Sequence, residues 1–160
     1  MQKITPFLWY DNNAEEAMNL YTSIFKNSSV KNKRYYGKGG PGPEGQLMTA
    51  IFTVEGQDFM VLNGGPIFKF TEAFSLFVLC DTQEEIDEKW DKLIANGGAP
   101  SRCGWLKDKF GLSWQIVPRV LNDILGDPDP AKARRGMEAM MKMDKLNIKE
   151  LENARDGKGN

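Results

Sequence analysis

The sequence predicts an α+β protein: two βαβββ modules, each with its helix outside a sheet, followed by a C-terminal helical extension. Three observations carry this prediction. The first is an internal echo. LWYDNNAEEAMNLYTSIF (8–25) and LCDTQEEIDEKWDKLI (79–94) each run from an apolar stretch into Asp, a Glu pair and an aromatic, about 70 residues apart. Asp11, Glu15, Glu16 and Tyr21 match Asp81, Glu84, Glu85 and Trp90. The second is periodicity, which is helical inside each copy and strand-like around it. The third is a change of character after residue 118, where Pro-punctuated helical segments replace strands.

The first module spans 1–66. A strand over Lys3–Tyr10 ends at Asp11. Ala14, Ala17, Met18, Tyr21, Ile24 and Phe25 then fall on one helix face, with Asn13 as N-cap and Glu16 closing a capping box. Strands follow over Val30–Tyr36, Leu47–Val54 and Asp58–Asn63, the last two joined by a tight hairpin at Glu55-Gly56-Gln57. The loop GKGGPGPEG (37–45) is Gly-rich, but no helix follows it and no Lys-Ser/Thr closes it. It reads as a hairpin loop rather than a phosphate cradle.

The stretch NGGPIFKFTE (63–72) leads into the second module, 72–118. Here a strand over Ala73–Cys80 precedes a helix with Ile86, Trp90, Leu93 and Ile94 on its apolar stripe. Thr82 with Glu85 forms a capping box and Asn96-Gly97-Gly98 stops the helix. Ala99–Trp105 and Leu112–Val117 read as strands, the second introduced by a turn at Asp108–Gly111. In the tail, 119–154, Asp129 caps a helix with Pro130 at its first position, running to about Met143. Met137, Met140 and Met141 form a packing stripe, and Ile148 and Leu151 predict a last short docking helix. Residues 155–160 are expected to be disordered.

Composition narrows the function. At 160 residues the chain suits one domain, and a net charge of −1 with no basic stripe gives no reason to expect nucleic acid or an anionic membrane surface as partner. No apolar run is long enough to span a bilayer, and the first residues, MQKITPFLWYDNNAEE, lack a signal peptide's apolar region. Cys80 and Cys103 have no CxxC spacing and read as reduced thiols of a cytoplasmic protein. There is no histidine, which removes Ser-His-Asp and Cys-His catalysis and the commonest transition-metal ligand.

One polar residue stands out. In FGLSWQIVP (110–118) Gln115 sits in the middle of an otherwise buried strand. An amide there without partners costs about 1–3 kcal/mol, so it is either tied into the core or faces a cavity. The aromatics Phe7, Trp9, Tyr10, Phe59, Phe68, Phe70, Phe74, Trp105 and Trp114 are core or cavity wall, and Asn63-Gly64-Gly65-Pro66 is either a simple turn or a polar rim.

The segments ITPFLWYDNNAEEAMNLY, FMVLNGGPIFKF, CGWLKDKFGLSWQIVP and DPDPAKARRGMEAMMKMDKLNI resemble the vicinal oxygen chelate superfamily, which includes glyoxalase I, extradiol dioxygenases and bleomycin-resistance proteins. Within it the chain is most similar to the PhnB-like group, often labelled 3-demethylubiquinone-9 3-methyltransferase. The resemblance implies strands curled over a central cleft and a homodimer. Metal-using members place His, Glu or Gln on the first, fourth, fifth and last strands. Those positions map near Ile4–Pro6, near Leu62–Asn63, on Phe74 or Ser75, and on Gln115. Neutral amides and a hydroxyl make a poor transition-metal site, so neither a tightly held catalytic metal nor another cofactor is expected. The methyltransferase label finds no Gly-rich nucleotide turn after a strand. The expectation is therefore a metal-independent protein that binds or sequesters a small molecule, with Gln115, Asn63, Phe74, Ser75, Phe7, Trp9 and Trp114 as candidate ligand contacts. The alternative is an enzyme acting on a small metabolite, with catalytic residues unassigned.

Overall fold

The computed structural model describes residues 2–159 and divides into two compact units, Met1–Phe70 and Thr71–Asn160. Each unit holds an open four-stranded mixed sheet with one long helix packed on it. In the first, β1 (Phe7–Tyr10), α1 (Ala14–Ile24), β2 (Ser29–Tyr35), β3 (Leu47–Val54) and β4 (Gln57–Asn63) give the strand order β1-β4-β3-β2. In the second, β5 (Ser75–Cys80), α2 (Gln83–Ile94), β6 (Ala99–Pro100), β7 (Trp105–Lys107) and β8 (Ser113–Pro118) give β5-β8-β7-β6. In both, the first strand runs parallel to the last and the remaining neighbours are antiparallel. The repeated βαβββ plan predicted from the sequence is thus present twice.

Alternation on the strands separates two faces in each sheet. In the first unit Leu8, Tyr10, Ala50, Phe52, Phe59 and Val61 are buried, as are Ala17, Met18 and Tyr21 of α1. The Tyr10 and Tyr21 hydroxyls meet at 3.0 Å inside this core. In the second unit Trp114 and Ile116 on β8, Leu106 on β7, and Ile86, Trp90 and Leu93 of α2 do the same job.

The helix starts differ. Thr82 Oγ1 accepts from the Glu85 amide at 3.2 Å, the half of the capping box that the sequence predicts, while the Glu85 carboxylate reaches one residue further back and accepts from the Asp81 amide at 2.7 Å. Asn13 makes no side-chain cap. Its place is taken by Asn63 at the end of β4, whose Oδ1 accepts from the Ala14 amide at 2.8 Å. A tertiary acceptor has replaced the local one.

Three further corrections apply to the sequence reading. The predicted strand Ala99–Trp105 is two short strands, because Cys103 (φ 58°) and Gly104 (φ 85°) adopt left-handed backbone and fold the chain at Ser101–Gly104. A short helix, α3 (Leu121–Leu125), precedes α4 (Pro130–Met140), which ends before Met143. The last helix, α5 (Ile148–Arg155), does not give way to disorder at 155. Gly157 and Lys158 amides donate to Ala154 and Asn153 carbonyls, while Arg135 donates to the Ala154 and Arg155 carbonyls. Asn160, the last residue of that expected disordered segment, lies outside the described residues. The extension packs onto the second unit through a buried cluster of Val117, Leu121, Ile124, Leu146 and Leu151. Gly136 permits the close approach of α4, since a Cβ there would meet Ile124 Cγ2 at 2.3 Å.

Candidate functional site

Gln115 lies on the face of the second sheet that points away from α2. Strand register puts it beside Phe77 on β5 and Trp105 on β7. Its Nε2 donates to Ser75 Oγ at 3.0 Å, one pleat away on the same face. Its amide oxygen has no partner among the described residues. Ser75 thereby ties one end of the amide and leaves the other end free to hydrogen-bond a ligand.

Around Gln115 is a cavity of about 310 Å³, at the lower end of the range for small-molecule sites. Phe77, Leu79, Trp105 and Val117 form its sheet wall. Leu121, Asn122 and Leu125 of α3 and Met140 of α4 form the opposite wall, with Cys103 and Arg119 also lining it. Phe77 and Leu79, on the edge strand β5, are 57% and 46% exposed and leave an apolar patch beside the cavity. Apolar surface with one oriented amide is the composition of a site for a small, mainly apolar molecule.

A second cavity, of about 230 Å³, lies over the same sheet, lined by Glu72, Pro100, Ser101, Trp105, Lys107 and Ser113. Lys107 and Glu72 form an ion pair there, and the ammonium holds the Glu72 carboxyl below the usual carboxylate range. Trp105 borders both cavities.

The other candidates separate by face. Trp114 is 2% exposed on the α2 side, and its Nε1 donates to Asp108 Oδ2 at 3.0 Å. Asp108 Oδ1 also accepts from the amides of Phe110 and Leu112, so this buried carboxylate organises the turn before β8. Trp114 is a core residue on this face. Phe74 precedes β5 and is 44% exposed, but it does not line the Gln115 cavity. Of the two fifth-strand candidates, Ser75 is the one in contact with Gln115.

In the first unit Asn63 is 4% exposed, on the α1 side. Besides capping Ala14, its Nδ2 donates to the Leu47 carbonyl at 2.9 Å. Its backbone carbonyl accepts the Tyr36 hydroxyl at 2.5 Å. Each of these groups is used by the fold. Trp9 donates from Nε1 to the Gly65 carbonyl at 2.9 Å and meets Phe68 edge-on at 5.0 Å. A Cβ on Gly64 would lie 2.3 Å from the Trp9 ring, so this glycine is what lets the ring lie on the chain. Phe7, 50% exposed, stands on the sheet face away from α1.

Register also fixes which first-unit residues correspond to the site. Phe7 faces Met60 as Phe77 faces Gln115. The counterpart of Gln115 is therefore Met60, not Leu62 or Asn63, and the counterpart of Ser75 is Thr5. The donor set is two apolar or hydroxyl side chains in one unit and an amide with a hydroxyl in the other. It does not fit a transition metal, which wants imidazole, thiolate or carboxylate. Among the described residues no three His, Cys, Asp or Glu side chains are grouped to hold one.

Sequence reasoning missed Phe77 and Leu79 as cavity wall and gave Ser113 no role. The signal was available: 113, 115 and 117 share a face by alternation. The partner strand's residues could be added only once the register was known.

The chain matches the family model described as 3-demethylubiquinone-9 3-methyltransferase over residues 2–117. It is 43% identical to a PhnB protein from Bacillus cereus, covering 73% of this chain and 99% of that one, with a TM-score of 0.69. A protein from Pseudomonas aeruginosa shares the fold at 19% identity, covering 74% and 98% of the two chains, with a TM-score of 0.61. So does FosX, a genomically encoded fosfomycin resistance protein from Listeria monocytogenes, whose structure is a complex with Mn(II) and sulfate. It is 12% identical over 78% and 96% of the chains, with a TM-score of 0.52. No curated protein matches.

Proposed function

Since the chain belongs to the PhnB-like family of the vicinal oxygen chelate superfamily, we propose that it binds or sequesters a small, mainly apolar molecule in the Gln115 cavity without a transition metal. The observation that carries this is the oriented amide in an apolar wall. Ser75 ties one end of the Gln115 amide and leaves the other to hydrogen-bond a ligand. Gln115, Ser75, Phe77, Leu79 and Trp105 would make the contacts.

Binding is favoured over turnover by the lining itself. It contains no carboxylate, and its ionisable groups are Arg119 and Cys103. General acid–base work needs a group of tuned pKa near the reacting atoms, and the cavity offers no acidic or basic pair of that kind. Methyl transfer from a nucleotide-type donor is commonly built on a parallel sheet with a Gly-rich turn at a strand end. Here both sheets are mixed, with antiparallel hairpins.

The chain works as a homodimer in this proposal, which would cover the exposed Phe77 and Leu79 edges. Its setting is the cytoplasm, in keeping with two free cysteines; among the described residues no helix is long and apolar enough to cross a membrane.

A native mass spectrum of freshly purified, untagged protein tests the reading. A dimer carrying a non-metal small-molecule mass is the expected result. A stoichiometric metal mass that survives desalting would contradict the metal-independent reading.

A further inference from the structure

We propose that the trough bounded by Ser113, Lys107, Glu72, Ser101 and Trp105 is a second subsite, which takes an uncharged carbonyl-class oxygen of the ligand held by the Gln115 cavity. The inference rests on that cavity being a ligand site and adds the chemistry of the ligand's other end.

Ser113 is 1% exposed, and its Oγ is buried without a hydrogen-bond partner among the described residues. Buried hydroxyls left unpaired are rare, because the group gives up its bonds to water and gains nothing. Ser113 faces Lys107 across β7 and Ser75 across β5, which puts its hydroxyl on the Gln115 face of the sheet. It lines the cavity of about 230 Å³. Trp105 walls both this cavity and the larger one, so one molecule can lie across its ring and reach both.

The first unit shows the same position when it is satisfied. Asp58 faces Thr53 there as Ser113 faces Lys107. The Asp58 carboxylate accepts from Thr53 Oγ1 at 2.8 Å and from Lys31 Nζ at 2.6 Å. The second unit has shortened the residue to a hydroxyl and supplies no protein partner.

Charge selects the head group. Glu72 already matches the Lys107 ammonium, so the trough is electrically neutral. An anion would have to displace Glu72. An uncharged oxygen can accept from Ser113 and from a further N–H of Lys107 with the ion pair left intact.

Calorimetric titration of the full chain with naphthaleneacetamide, naphthaleneacetate and methylnaphthalene tests this, on wild type, Ser113→Ala and Lys107→Met. The amide should bind about fivefold more tightly than the other two probes, the worth of one net hydrogen bond. Ser113→Ala should erase that advantage, leave methylnaphthalene affinity unchanged and leave the melting temperature unchanged or raised. Lys107→Met should reduce the advantage. An amide with no advantage, or one untouched by Ser113→Ala, overturns the subsite while the larger pocket stands. So does a fall in melting temperature in Ser113→Ala, which would make the hydroxyl structural. Tightest binding by the acetate overturns the uncharged head group. Failure of all three probes to bind contradicts the pocket reading and takes the subsite with it.

Discussion

Asp58 in the first unit and Ser113 in the second occupy the same place in the same strand of the same plan, and they are treated in opposite ways. Asp58 is held by Lys31 and Thr53. The Ser113 hydroxyl has no hydrogen-bond partner among the described residues. The same contrast runs along the face: Met60 stands where Gln115 stands, and Thr5 where Ser75 stands. On the helix side the roles reverse. There the first unit spends the polar Asn63 on its fold, while the matching residue of the second is Pro118. A duplicated scaffold has kept its polar residues for structure in one copy and left them facing a cavity in the other.

The largest expected effect breaks the contrast at the helix starts. Asn63→Ala removes the cap of α1 and strands the buried Ala14 amide and Leu47 carbonyl, so it should destabilise the protein by about 2–3 kcal/mol. Thr82→Ala removes a local, exposed cap and should cost about 1 kcal/mol. Urea denaturation of both variants measures the two values. Equal losses would mean that the tertiary cap is worth no more than the local one.

A smaller effect sharpens the comparison at the paired position. The bonds from Lys31 and Thr53 hold the Asp58 carboxyl below its usual range. A depressed carboxyl contributes stability that is fully present above the unfolded value and lost as pH falls through the folded one. Asp58→Ser, which writes the second unit's residue into the first, should therefore lower stability at neutral pH. The deficit should shrink as pH falls below the ordinary value of 3.8. Melting curves from pH 7 down to about 3 follow it. A deficit independent of pH would show that the ion pair is not its source.

The architecture was legible because each helix carries its own stripe and each module its own punctuation. Leu47–Val54 was placed to the residue, and the Thr82 side-chain cap formed as predicted, with Glu85 reaching back to Asp81 rather than to Thr82. The Asn13 cap failed because the competing acceptor, Asn63, lies 50 residues away in sequence, which no local pattern reveals. The break at Cys103-Gly104 was hidden because a non-glycine residue takes left-handed backbone there. Site residues were legible on one strand only. Alternation marks Gln115 and its neighbours, but Phe77 and Trp105 join them through pairing register. Nothing local distinguishes Trp114, which faces the core, from Trp105, which faces the cavity, except a count of strand positions from a turn. That count shifts with each misplaced boundary.

The most direct test of the account is an amide proton–nitrogen NMR titration of the full chain with naphthaleneacetamide, repeated on Gln115→Leu. Perturbations should cluster on β5, β7, β8 and α3 around Phe77, Trp105, Gln115 and Leu121, and weaken at least fivefold in affinity in a variant that stays folded. Perturbations centred on Asn63 and Trp9, or affinity unchanged by Gln115→Leu, would contradict the assignment of the ligand site to the second unit.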